Sequence, residues 1–160
     1  AGTPGAESEA REVRQKEHGM ITLSDLTERI GRQFLDPHGL AAPQETREEA
    51  VRLALEEINL SLNQTYTIAG LDGSVAGDLP ETCLPALFSG AAAVLIGTVL
   101  HYDLSSHTNL PADRQQLRLL TEHLKRQFDL EIDKLRVREL QNAQSETHFQ
   151  WEWSENRGWR

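Results

Sequence analysis

The chain has 160 residues, a formal net charge of −9, 38% hydrophobic residues and a single cysteine. That length allows one domain with a modest core and arms beyond it, and one cysteine excludes an intrachain disulfide. An acidic balance with only three lysines argues against a domain that grips duplex phosphates.

The first stretch, AGTPGAESEAREVRQKEHGM, is poor in hydrophobics and mixed in charge, so residues 1–19 read as a flexible or partly helical arm. It has no apolar h-region, which argues against a secretory signal and for assembly in the cytoplasm. Apolar patterning starts at Met20. In MITLSDLTERIGRQFLDP, Thr22 and Asp25 have the spacing of a helix cap, and Leu23, Leu26, Ile30 and Phe34 form one stripe that ends at Asp36-Pro37.

The run TREEAVRLALEEINLSLN predicts a second helix, with Thr46 and Glu49 as a capping box and Val51, Leu55, Ile58 and Leu62 on one face. QTYTIAGLDG then changes period: Tyr66 and Ile68 alternate with threonines, and Asp72-Gly73 supplies turn chemistry, which predicts a short strand and a turn.

Cys83 to Leu100 carries no charge, yet Pro85, two glycines, Ser89 and Thr98 weaken it as a membrane span and favour a buried helix over that alternative. On a helical wheel Ala86, Gly90, Ala93 and Gly97 share a close-packing face, with Leu87, Phe88, Val94 and Leu95 on other sides. That is the pattern of a central helix, opened by Asp78 as N-cap with Pro80 in the first turn and running to about Tyr102. A long amphipathic helix comes next, from Pro111 to about Gln141, with Leu117, Leu120, Leu124, Phe128, Ile132 and Leu135 as its apolar stripe and Glu122 placed to pair with Arg126. Such a helix is longer than a small core can cover, so part of it must project or meet another chain.

In the last segment Phe149, Trp151 and Trp153 alternate with polar residues, and Trp159 lies six residues further on. Rings on one face of an extended tail predict an anchor on another subunit or protein, the alternative being a strand folded back on the same domain. The expected fold is therefore mainly α: a bundle of about four helices over residues 20–140, with a long C-terminal helix, a short β segment and extended terminal arms, the last of them residues 141–160.

No residue set has the spacing of a catalytic, cofactor or metal site. His101, Asp103 and His107 are ligand types but straddle a helix end, and Cys83 opens an apolar helix with no histidine near it. Glu48, Glu49, Glu56 and Glu57 are interleaved with Arg47 and Arg52, the ordinary make-up of a solvated face. Residues 21–109 hold twelve acids against four basic residues, whereas residues 110–140 hold six against seven. The acidic surplus lies in the middle of the chain.

From Met20 to about Leu140 the order of parts resembles the head-to-tail connector (adaptor) proteins of tailed bacteriophages. The parts are a first helix ending in FLDP, the helix REEAVRLALEEINLSL, the link YTIAGLDG, the segment LPETCLPALFSGAAAVLIGTVL and a long charged helix. The resemblance implies a structural virion protein in the neck, without enzymatic activity or cofactor. It also implies a homo-oligomeric ring, twelve-fold in that family, beneath the portal protein, a docking surface for stopper or tail proteins, and DNA that passes through the lumen without specific binding. Acidic groups facing such a channel would discourage phosphates from sticking. The alternative is a cellular helical interaction module, a regulator or scaffold that is a monomer or small dimer. A metal-assisted hydrolase would need an ion held by His101 and His107.

Overall fold

A computed structural model describes residues 21–106 and 113–148, the side chains of residues 104–106 and 144–148 excepted. Four helices pack as a bundle: α1 (Leu23–Ile30), α2 (Gln44–Leu62), α3 (Leu84–Ser106) and α4 (Arg114–His148). The terminal arms, residues 1–19 and the segment with Phe149, Trp151, Trp153 and Trp159, lie outside the described residues.

The start of α1 is set locally. The Thr22 hydroxyl accepts from the Asp25 amide at 3.3 Å, and the Asp25 carboxylate accepts in return from the Thr22 amide. Two backbone donors without helical partners are satisfied by one pair of side chains. The helix then widens into a π turn over Gly31–Leu35 before a 3-10 turn, Asp36–His38, closes on Gly39 in the left-handed region at φ 63°. A π turn takes one extra residue, which rotates the side chains beyond it around the axis. Spacing predicts Phe34 in the core, but Leu35 is the residue that becomes fully buried, with Phe34 packed at the edge. Gly31 leaves room here for the Arg47 guanidinium, which a Cβ would approach to 2.9 Å and whose Nε donates to the Ala42 carbonyl.

The second helix starts at Gln44 behind Pro43, so the Thr46–Glu49 capping box does not form and Thr46 lies inside the first turn. Proline needs no amide partner, and the fixed φ of Pro43 orients the chain into the helix. Val51, Leu55, Ile58 and Leu62 are all buried, as their spacing predicts, together with Ala50 and Ala54. Fully burying a side chain such as Ile58 is worth about 2 kcal/mol. Asn63, left-handed at φ 52°, ends the helix.

The predicted strand at Tyr66–Ile68 is absent: no strand occurs among the described residues, and only an isolated parallel bridge joins Ala69 to Thr22. The physical reason is that side chains satisfy this backbone instead of a neighbouring strand. The Asn59 amide clamps Tyr66 from both sides, donating to its carbonyl and accepting from its amide at 2.9 Å each. Asp78 takes the Thr67 amide at 2.6 Å and returns its own amide to the Thr67 carbonyl. It is therefore a loop clamp, not the predicted N-cap of α3, which begins only after a 3-10 turn at Glu81–Cys83.

α3 packs against α2 and α4 and touches α1, where Arg29 lies over the Phe88 ring at 4.7 Å. Ala86, Leu87, Ala91, Ala92, Leu95 and Ile96 are all inaccessible to solvent. By length and composition Glu81–Asp103 is apolar enough to cross a membrane; in this fold 56% of that apolar stretch is buried, packed against the neighbouring helices.

In α4 the Asp113 carboxylate receives the Gln115 amide at 2.8 Å, the contact of an N-cap. Leu117, Leu124, Phe128, Ile132 and Leu135 are buried, and Leu120 is half-buried. The helix continues to His148, so residues 141–148 of the predicted extended tail are helical. At 35 residues it is about 52 Å long, against about 28 Å for the 19 residues of α2. It outruns the bundle.

Candidate interaction surface

The small-residue face of α3 is central, but its four members do not behave alike. Ala86 and Gly90 are buried, while Ala93 and Gly97 are half-buried. At Gly90 a Cβ would lie 2.8 Å from two carbons of the Phe128 ring and 3.2 Å from the Ala54 Cβ; at Gly97 the nearest atom is the Thr121 methyl at 3.9 Å. Close approach of α4 therefore depends on glycine at one position only.

The apolar stripe Leu117–Leu135 of α4 is turned inward onto α3 and α2, so it belongs to the core. Helical spacing does not reveal by itself that α4 carries a second, outward seam. Leu119, Leu130, Val137 and Leu140 are all more than half exposed. With His123, Arg126 and Asp133 between them they keep an alternating four-three spacing, the periodicity of a helix that meets another helix. The signal is present in the sequence but is outweighed there by the stronger inward stripe.

Across the bundle, an open groove of about 480 Å³ runs between α2, α3 and α4. Gly90, Ala93, Val94 and Phe128 line it, with Leu53 and Leu60 of α2 along one side and Lys125 and Asp129 of α4 along the other. Leu53 is 43% and Leu60 80% exposed, and Glu56 and Glu57 between them are exposed as well. Glu56 and Glu57 thus share a surface with apolar groups. Arg52, on the same helix, is held by Asp72 at 2.7 Å and also contacts Glu49. The guanidinium keeps the Asp72 carboxyl below the usual carboxylate range.

The candidate chemical groups do not converge. Cys83 is buried, and burial pushes its thiol up and away from the reactive thiolate. His101 is exposed, while Asp103 is buried and pairs with Arg114 at 2.7 Å, joining the end of α3 to the start of α4. His107 lies outside the described residues, and among those described no three His, Cys, Asp or Glu side chains are gathered to hold a metal ion. No protein-family model matches the chain, and no curated protein or solved structure matches it either.

Proposed function

We propose that this chain is a head-to-tail connector (adaptor) of a tailed bacteriophage: a structural protein of the virion neck that forms a ring under the portal, extends the DNA channel and presents a docking surface to stopper or tail proteins. The order of sequence elements supports the reading. The observation that carries it is that α4 outruns the bundle and exposes Leu119, Leu130, Val137 and Leu140, the economy of a subunit whose apolar surface is completed by assembly. In this reading the exposed acids of α2 border the channel or the subunit contacts, DNA passes without specific binding, and Phe149, Trp151, Trp153 and Trp159 anchor the subunit to the portal or a neighbour.

Native mass spectrometry of the protein, alone and mixed with the portal encoded beside its gene, tests this. A ring, or a monomer that becomes a portal-bound multimer, is expected. Deleting residues 145–160 should leave a folded helical domain that no longer joins the portal. A stable monomer or dimer indifferent to the portal overturns the connector and favours a cellular regulator or scaffold, a reading to which the open groove between α2, α3 and α4 also lends itself.

A further inference from the structure

We propose that the acidic α2 face and groove of one copy receive the outward seam of α4 from a second copy, so that the chain associates head to tail. The inference rests on one part of the connector reading, that copies of this chain meet one another, and it names the two surfaces involved.

The two faces match in pattern. Leu53 and Leu60 are seven residues apart on α2, and Leu130 and Val137 are seven apart on the outward side of α4; all four are exposed. One heptad of apolar groups on each helix is the repeat needed for side chains of two helices to interleave. The groove beside Leu53 and Leu60 is lined on the α3 side by Ala93 and Val94, both half-buried, and by the Phe128 ring that covers Gly90, so a second helix would meet mainly small and apolar groups there.

They also match in charge. α2 carries five acids against two arginines, and both arginines are turned to partners in their own chain, Arg47 to the Ala42 carbonyl and Arg52 to Asp72. Glu56 and Glu57 remain beside the exposed leucines. On α4 the exposed seam includes His123, Arg126 and Asp133 and is bordered by Glu122 and Lys134, so Arg126 and Lys134 are the cations that can face Glu56 and Glu57. Arg126 and Lys134 face Glu122 and Glu131 within the helix at 3.9 and 2.6 Å, but the cations are 80% and 63% exposed, and such surface pairs are weak enough to exchange.

Because each copy carries both unlike faces, one contact leaves the complementary faces open for the next. Association is heterologous, and it ends only by closure. A different protein on either face would have no reason to match the other face of this chain; a second copy accounts for both.

Charge reversal in the full chain tests the pairing. Glu56→Lys with Glu57→Lys makes one variant, and Arg126→Glu with Lys134→Glu the other, all at exposed positions. Each variant alone should lose the multimer seen by light scattering, and an equimolar mixture should regain it, because each face then meets its opposite sign. Carbodiimide treatment of the unaltered protein, mixed from heavy- and light-isotope preparations, is the second measurement. It should link Glu56 or Glu57 of one copy to Lys134 of another, with no dependence on how the variants fold.

A chain that stays monomeric alone, or a multimer without that cross-copy link, overturns the interface. A chain that is monomeric alone yet multimeric on the portal overturns it too, while the connector reading stands. A multimer linked through these faces that ignores the portal upholds the interface and removes the connector.

Discussion

Replacing Gly90 by alanine sets two opposite effects against each other. In a helix interior alanine is better than glycine by about 1 kcal/mol, because glycine loses more backbone freedom on folding. The new Cβ would stand 2.8 Å from the Phe128 ring and 3.2 Å from the Ala54 Cβ, so the ring must move. Overpacking of this kind costs about 1–3 kcal/mol. The expected net effect is a destabilisation of about 1 kcal/mol, a fall of roughly 2–4 °C in Tm for a domain of this size.

A Phe128→Ala background gives the decisive comparison. Alone it should cost about 3–5 kcal/mol, since the ring is only 9% exposed. With the ring gone, Gly90→Ala should turn from destabilising to stabilising by a few tenths of a kcal/mol or more, the Ala54 methyl being the one contact left to yield. Urea denaturation of the four proteins, monitored by circular dichroism at one protein concentration, gives the coupling directly. An alanine at 90 that has the same effect in both backgrounds would refute the claim that Phe128 is what glycine accommodates.

Asn59→Ala removes both hydrogen bonds that clamp Tyr66 and should cost about 1–3 kcal/mol, with faster amide exchange at Tyr66; unchanged exchange would place the restraint elsewhere. Asp78 is held below the usual carboxylate range, first by the Thr67 backbone amide. A depressed folded pKa contributes stability that is present above the unfolded value, near 4, and is lost as pH falls through the lower folded value. Asp78→Asn should therefore flatten the acid limb of the stability profile below about pH 4 and leave its neutral region parallel to the original. Cys83, buried and with its thiol pushed up, should react with a disulfide reagent at pH 8 only as fast as the protein opens, and promptly in denaturant. Prompt reaction of the folded protein would count against the packing at the start of α3.

Much of the bundle is legible in the chain because its causes are local or periodic. The Thr22–Asp25 cap closes within four residues, and the spacing of Val51, Leu55, Ile58 and Leu62 identifies a face wherever the helix is placed. The same holds for Leu117, Leu124, Phe128, Ile132 and Leu135, whose repeat over five turns has no strand-like alternative.

The features that only the tertiary structure decided depend on neighbours distant in sequence. The π turn exchanged Leu35 for Phe34 in the core. Tyr66 and Ile68 have strand alternation, but Asn59 and Asp78 took the hydrogen bonds that a second strand would have used. Gly90 and Gly97 look equivalent on a wheel, and the Phe128 ring and the Ala54 methyl, both close to Gly90 alone, separate them. The outward seam of α4 became visible as a surface once the stronger stripe was buried. Periodicity determines which residues share a face, whereas burial determines which face is left over; the second is a property of the packed molecule.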